Sequence, residues 1–105
     1  MNVYLSPEAV RNLQEIRDKH LSLGYSNAAK NHLKAIRTSL DPLDLLETTP
    51  GIGISFEKKF NVPTDLQYLV SDSNYLIVYR VVGQIVEVLY IIDGRSNYLA
   101  WLFGI

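Results

Sequence analysis

The chain has 105 residues, 48% of them hydrophobic, with ten basic and eleven acidic side chains and no cysteine. This composition predicts one globular domain over residues 1–105 and excludes disulfides and thiolate zinc sites. The net charge of −1 disfavours a protein that binds by neutralising many phosphates, and no membrane span or secretory signal is evident, so we expect a cytoplasmic protein.

A short strand and a helix are predicted at the start of the chain. Asn2–Leu5 has the composition of a strand. Ser6 can cap a helix with its hydroxyl, and Pro7 suits the first helical position. Apolar residues then recur at helical spacing until Gly24, which is typical of the position just beyond a helix.

A second helix is predicted from Ser26, with an apolar stripe that ends near Leu40 before Asp41-Pro42. Because the break between the two helices is short, we expect an antiparallel helical hairpin. Residues 48–65 contain two prolines and two glycines and are predicted to be a connector.

Residues 74–92 are predicted to form a β-hairpin with a tight turn at Gly83, and residues 66–70 to form the strand before it. In the first arm, alternation places Arg80 on a face that is otherwise apolar. In the second arm, strict alternation would place the polar residues Glu87 and Tyr90 on opposite faces, so the pattern leaves open which face meets solvent.

The predicted fold class is α+β. The N-terminal strand and the helical hairpin would pack on one face of a small antiparallel sheet, followed by a short C-terminal segment. Either face of the sheet could meet the helices. The segment Leu99–Ile105 is rich in large apolar residues, which either dock on the sheet as core or form a surface for self-association or a partner.

Three segments resemble the RelE/ParE toxin superfamily of bacterial type II toxin–antitoxin modules. They are residues 4–9, 74–81 and 86–95. Residues 98–103 are similar to the short C-terminal segment of that superfamily. Asp93 stands where members often carry histidine, and Asn97 where an aspartate is common.

The resemblance implies one of two activities, and in both the toxin is held inactive by a cognate antitoxin. RelE-like members cut mRNA on the ribosome, whereas ParE-like members poison DNA gyrase. The nuclease lysines align with Gln67 and Leu69, and a nuclease arginine aligns with Leu76. Because neither leucine can carry charge or donate a hydrogen bond, we expect a ParE-like toxin that acts by binding rather than as an enzyme. A RelE-like endonuclease and a detoxified binding module are the alternatives.

Arg80, Arg95 and Tyr98 are the candidates for a catalytic site, because arginines can bind a phosphate and a tyrosine can transfer a proton. Each also has a plainer interpretation. Arg80 is typical of a strand arginine that pairs with a carboxylate, Arg95 of a solvated turn, and Tyr98 of packing.

Lys58, Lys59, Trp101 and Phe103 are the candidates for binding the target or the antitoxin. The plainer interpretation is a solvated pair of loop lysines and two packed aromatic side chains.

The expected partners are an antitoxin and either gyrase or the ribosome, with no membrane and no cofactor. No metal site is expected, since His20 and His32 have no third ligand nearby in sequence.

Overall fold

The structure is a computed structural model that describes residues 2–22, 53–70 and 74–105. The predicted helix end at Gly24, the second helix from Ser26 and His32 lie outside these ranges. The helical hairpin therefore stays a prediction. Within the described ranges, no helix is long and apolar enough to cross a membrane.

The described elements form a five-stranded sheet with helices. In chain order they are β1 (Asn2–Leu5), α1 (Pro7–Ser22), β2 (Ile54–Ser55), α2 (Phe56–Phe60), β3 (Gln67–Val70), β4 (Tyr75–Val82), β5 (Ile85–Asp93) and α3 (Tyr98–Phe103). The strand order is β1-β5-β4-β3-β2. The α+β class is confirmed, but the sheet is mixed rather than antiparallel, because β1 pairs parallel with β5. The long connection between these two strands permits the parallel arrangement.

Ser6 joins α1 to the sheet. Its hydroxyl oxygen accepts a hydrogen bond from the Ala9 N–H at 3.1 Å, which confirms the predicted helix cap. The same hydroxyl donates to the carbonyl of Leu89 at 2.8 Å. One side chain thus begins the helix and attaches it to β5.

The core between α1 and the sheet contains every second residue of the first part of β4. Tyr75, Ile77 and Tyr79 are buried there, together with Ala9 and Ile16 of α1. The alternation predicted for this arm is confirmed, and this face is the one that meets α1.

A second core lies on the opposite face of the sheet, where Leu76 and Val78 pack with Phe56 and Tyr68. The prediction of a connector over residues 48–65 is wrong for its described part, which contains β2 and α2. Ser55 caps α2 by accepting from the Lys58 N–H at 3.3 Å. The element is only five residues long, so its burial against the sheet, rather than helix propensity, stabilises it.

The β4–β5 hairpin has the predicted two-residue turn, since Val82 pairs with Ile85 and Gly83 adopts φ +59°.

A β-bulge in β5 determines which of its side chains share a face of the sheet. The register shifts between Val78 and Tyr79, which leaves Leu89 as an additional residue in β5. Beyond the bulge the alternation is reversed, so Glu87 and Tyr90 lie on the same face of the sheet, away from α1. Tyr90 packs on the second core, whereas Glu87 is near the turn and partly exposed.

Candidate functional site

A cleft of about 460 Å³ lies between α1 and α3, at the C-terminal end of β5. Its described apolar lining comprises Ile16, Tyr75, Ile91, Ile92, Tyr98 and Trp101. Its described polar lining comprises Asn12, Glu15, Lys19, Asp93, Ser96 and Asn97. An apolar interior with a few polar groups is typical of a binding site.

Trp101 is the most exposed aromatic side chain at this cleft, at 61% of its accessible surface. Its ring stands at 80° to that of Tyr90, with the centroids 4.9 Å apart. Phe103, predicted as a partner of Trp101 in binding, is instead partly buried against Phe56 at a centroid distance of 5.1 Å. Of these two predicted binding residues, only Trp101 is well placed to contact another molecule.

The C-terminal segment, residues 99–105, contains both core residues and exposed residues, the two possibilities that its sequence left open. Leu99, Leu102 and Phe103 pack on the second core, whereas Trp101 and Ile105 are exposed. One side of α3 is therefore core and the other is available surface.

Arg95 is held by Asp93 in the turn after β5. Its Nε lies 3.2 Å from Asp93 Oδ1 and its Nη2 lies 3.3 Å from Oδ2. The Arg95 N–H also donates to Asp93 Oδ1 at 2.8 Å. These hydrogen bonds lower the pKa of the Asp93 carboxyl, and Lys19 adds a smaller effect of the same sign. The pair is exposed, in keeping with the plainer interpretation of Arg95 as a solvated turn residue.

Tyr98 and Arg95 meet at a second, smaller cleft of about 220 Å³, which is also lined by Tyr68 and Leu76. The pKa of Tyr68 is raised by burial and, to a lesser extent, by Tyr98. The structure therefore brings together two of the three predicted catalytic candidates.

Arg80, the third candidate, lies elsewhere. Its Nη2 is 3.4 Å from Glu87 Oε2, beside the hairpin turn. Asp93 lies opposite Tyr75 of β4. Arg80 is five residues further along β4 than Tyr75, which corresponds to roughly 16 Å. Arg80 and Arg95 are thus at opposite ends of the hairpin, and no single phosphate can lie against both.

The three positions aligned with the nuclease cations also fail to converge. Leu69 packs with the core that faces α1, and Gln67 shares its face by alternation. Leu76 belongs to the opposite core. These positions are therefore separated by the sheet itself.

Lys58 and Lys59 are exposed in the last turn of α2, rather than in the predicted loop. Their role in binding stays a prediction.

Sequence reasoning missed the contribution of α1 to the cleft, above all that of Asn12. The one available signal was its position one helical turn before Ile16, beside the buried stripe of α1.

Comparison with known proteins agrees with this fold. The chain matches the family described as ParE toxin of the type II toxin–antitoxin system, parDE, over residues 3–98. It therefore belongs to the ParE toxin family. A solved structure of the chromosomal ParDE toxin–antitoxin system from P. aeruginosa has a similar fold, with a TM-score of 0.69 at 20% identity. That match covers 89% of this chain and 95% of the other. A search of curated protein sequences found no match.

Proposed function

We propose that this ParE-family toxin arrests growth by binding its target, that the target is DNA gyrase, and that a cognate antitoxin neutralises it. Family membership supports the toxin and antitoxin parts of the proposal. The choice of binding over cleavage rests on the geometry of the candidate residues.

The observation that carries this choice is the dispersal of the arginines. RNA cleavage through a 2′-hydroxyl needs cations and proton-transfer groups around one phosphate. Along the hairpin, Arg80 lies roughly 16 Å from the position of Asp93, the residue that holds Arg95. Each arginine already pairs with a carboxylate. Tyr98 remains beside Arg95 alone, which is a weak basis for phosphate chemistry.

The charge of the chain supports the same choice. A nuclease that works on the ribosome must sit among phosphates, which favours a basic protein. This chain has a net charge of −1. A protein target makes no such demand.

The cleft between α1 and α3 is the surface that we assign to the antitoxin. It combines an exposed Trp101 with an apolar interior and charged groups such as Glu15 at its margin. Aromatic side chains in such positions commonly dominate the binding energy of protein interfaces.

The first experiment is tightly controlled induction of this chain, alone and together with the neighbouring reading frame. Growth arrest that the neighbour relieves is the expected result. Normal growth with soluble protein present would overturn the proposal and favour a detoxified binding module.

A second experiment separates the two toxic mechanisms. Purified toxin is expected to inhibit DNA supercoiling by gyrase and to leave ribosome-bound mRNA intact in primer extension. Codon-specific cleavage with unaffected supercoiling would identify a RelE-like nuclease instead.

A further inference from the structure

Strand β1 forms one edge of the sheet. It pairs with β5 on one side, and in the part of the chain that the structure describes no strand pairs with its other side. Edge strands are commonly protected by a lysine, a proline or a bulge. Asn2–Leu5 has none of these and carries no charged side chain. The opposite edge, β2, has only two residues. Strand β1 is therefore the longer edge and the one open to strand pairing.

The direction of the β1 backbone groups follows from one hydrogen bond. The Ser6 N–H donates to the carbonyl of Val88 at 2.9 Å, and Val88 lies opposite Leu5 in the parallel register. In a parallel ladder, a residue of one strand bonds to the two neighbours of the residue opposite it. The backbone groups of Tyr4 and Ser6 therefore face β5. By alternation, the N–H and carbonyl groups of Val3 and Leu5 face away from the sheet.

These outward groups are accessible. Among residues 2–22, 53–70 and 74–105, no hydrogen bond is found to the backbone N–H or carbonyl of Val3 or Leu5. Both residues are partly exposed, and Tyr4 between them has 54% of its surface accessible. The core beneath α1 is built mainly from β5 and β4, one and two strands in from this edge. The outward groups of β1 can therefore be reached by another chain.

We propose that this edge binds a second copy of the chain, with the two β1 strands antiparallel and Tyr4 on the two-fold axis. In that register, Val3 of each copy lies opposite Leu5 of the other. Each such pair exchanges both of its N–H···O hydrogen bonds, as the closely bonded pairs of an antiparallel ladder do. Every outward N–H and carbonyl of Val3 and Leu5 is then satisfied.

The side chains favour the same register. A two-fold axis perpendicular to the sheet continues each face of one copy into the same face of the other. Val3 and Leu5 pack with the core on the α1 side, so the pairing joins two apolar side chains on that side. Tyr4 lies on the other face, beside Glu87, and meets Tyr4 of the second copy. Aromatic pairs directly across two strands are stabilising.

Other arrangements fit this edge less well. A register centred on Val3 would leave Leu5 opposite a residue outside β1. A helix satisfies its backbone groups internally and would leave the outward groups of β1 unpaired. The contact is short, so the dimer should be weak and its population should rise with protein concentration. The inference depends on the sheet alone and not on the target or antitoxin proposed above.

The test uses the position of Tyr4, which faces its own copy across the axis. Sedimentation equilibrium of the purified toxin should show a reversible dimer. Tyr4→Lys and Tyr4→Glu each place like charges directly opposite one another and should weaken the dimer roughly tenfold. Mixed in equal amounts, the two variants should associate again as a heterodimer, because lysine then faces glutamate. Circular dichroism checks that each variant is folded.

Val82→Lys and Val82→Glu are the matched controls. Val82 is similarly exposed, at 52%, but lies on β4, two strands in from the β1 edge. These variants make the same charge changes and should dimerise like the unmodified chain. The proposal would be overturned by an unmodified toxin that stays monomeric, by a dimer that neither Tyr4 variant weakens, or by Tyr4 variants that do not associate when mixed.

Amide hydrogen exchange of the unmodified toxin gives an independent answer should the Tyr4 variants fail to fold. Exchange at Val3 and Leu5 should slow as protein concentration rises, whereas exchange at Tyr4, whose N–H already faces β5, should change much less. Unchanged exchange at Val3 and Leu5 while a dimer forms would overturn the placement. Slowing that appears only when the antitoxin is added would assign this edge to the antitoxin and overturn the self-pairing.

Discussion

The Asn12 side-chain oxygen accepts a hydrogen bond from the Ile91 N–H at 3.0 Å, joining residues that are 79 positions apart. The contact fixes α1 against the part of β5 that β1 does not reach. Asn12 and Ile91 both line the cleft between α1 and α3. The same hydrogen bond thus satisfies an edge group of the sheet and sets one wall of the proposed binding site.

Replacing Asn12 by leucine should destabilise the fold, because the Ile91 N–H would lose its acceptor in a partly buried place. We expect a loss of about 1–3 kcal/mol in the free energy of unfolding, measured by urea denaturation. Gln14→Ala, at an exposed position of the same helix, is the control. A loss no larger than that of the control would show that the hydrogen bond contributes little.

Tyr79 should make the fold sensitive to alkali. Its side chain is fully buried, and burial raises its pKa to about 12, against a smaller lowering by the Gly53 backbone. The unfolded chain releases this proton near pH 10. Between about pH 10 and 12 the folded state therefore binds more protons than the unfolded state. The free energy of unfolding then falls as pH rises, by up to about 3 kcal/mol. Urea titrations of the Tyr79→Phe variant should show a smaller loss over this interval, and an unchanged loss would assign it to other groups.

Gly53 should not tolerate a side chain, because a Cβ there would collide with the Tyr79 hydroxyl. We expect Gly53→Ala to lower the free energy of unfolding by about 1–3 kcal/mol. Tyr79→Phe should relieve part of this loss, since it removes the nearest atom. Among the residues that the structure describes, that hydroxyl has no hydrogen-bond partner of good geometry. A double-mutant cycle in urea measures the coupling. Additive effects would argue against the contact.

Phe56 should be the main stabilising side chain of α2. It is fully buried, and its ring lies 4.6 Å from that of Tyr68 and 5.1 Å from that of Phe103. Phe56→Ala should reduce the free energy of unfolding by about 3–5 kcal/mol, measured by chemical denaturation. Lys58→Ala, exposed on the same helix, should change it little.

The double variant Arg80→Ala/Arg95→Ala should retain growth arrest, because the proposed mechanism needs neither arginine for chemistry. Growth is compared at equal levels of soluble protein, with the unmodified chain as reference. Loss of arrest by a folded double variant would restore a functional role, and the two single variants would then show which end of the hairpin carries it.

The features that the sequence predicted well depend on neighbours in the chain. The turn at Gly83 follows from the need for positive φ, and the cap at Ser6 from the reach of a hydroxyl to the Ala9 N–H three residues on. The alternation that directs Tyr75 and Ile77 toward α1 follows from the period of a strand. The resemblance of three segments to one superfamily agrees with the family match over residues 3–98.

Contacts between residues far apart in the chain determined the features that the sequence did not predict. The bulge at Leu89 reverses the faces of β5. The sequence showed it only as an unexplained break in alternation between Glu87 and Tyr90. Helix α2 is too short to persist outside its contact with the sheet, and only packing distinguishes the exposed Trp101 from the partly buried Phe103.

The candidate site shows the same division. Sequence identified Arg80 and Arg95 as candidates, but only the register of the hairpin placed them at opposite ends. Side-chain chemistry is a property of the local sequence, whereas the convergence of groups on one site depends on contacts between residues far apart in the chain. Asn12 and Ile91 came together for that reason, since no local signal relates a helix near the start of the chain to the end of β5.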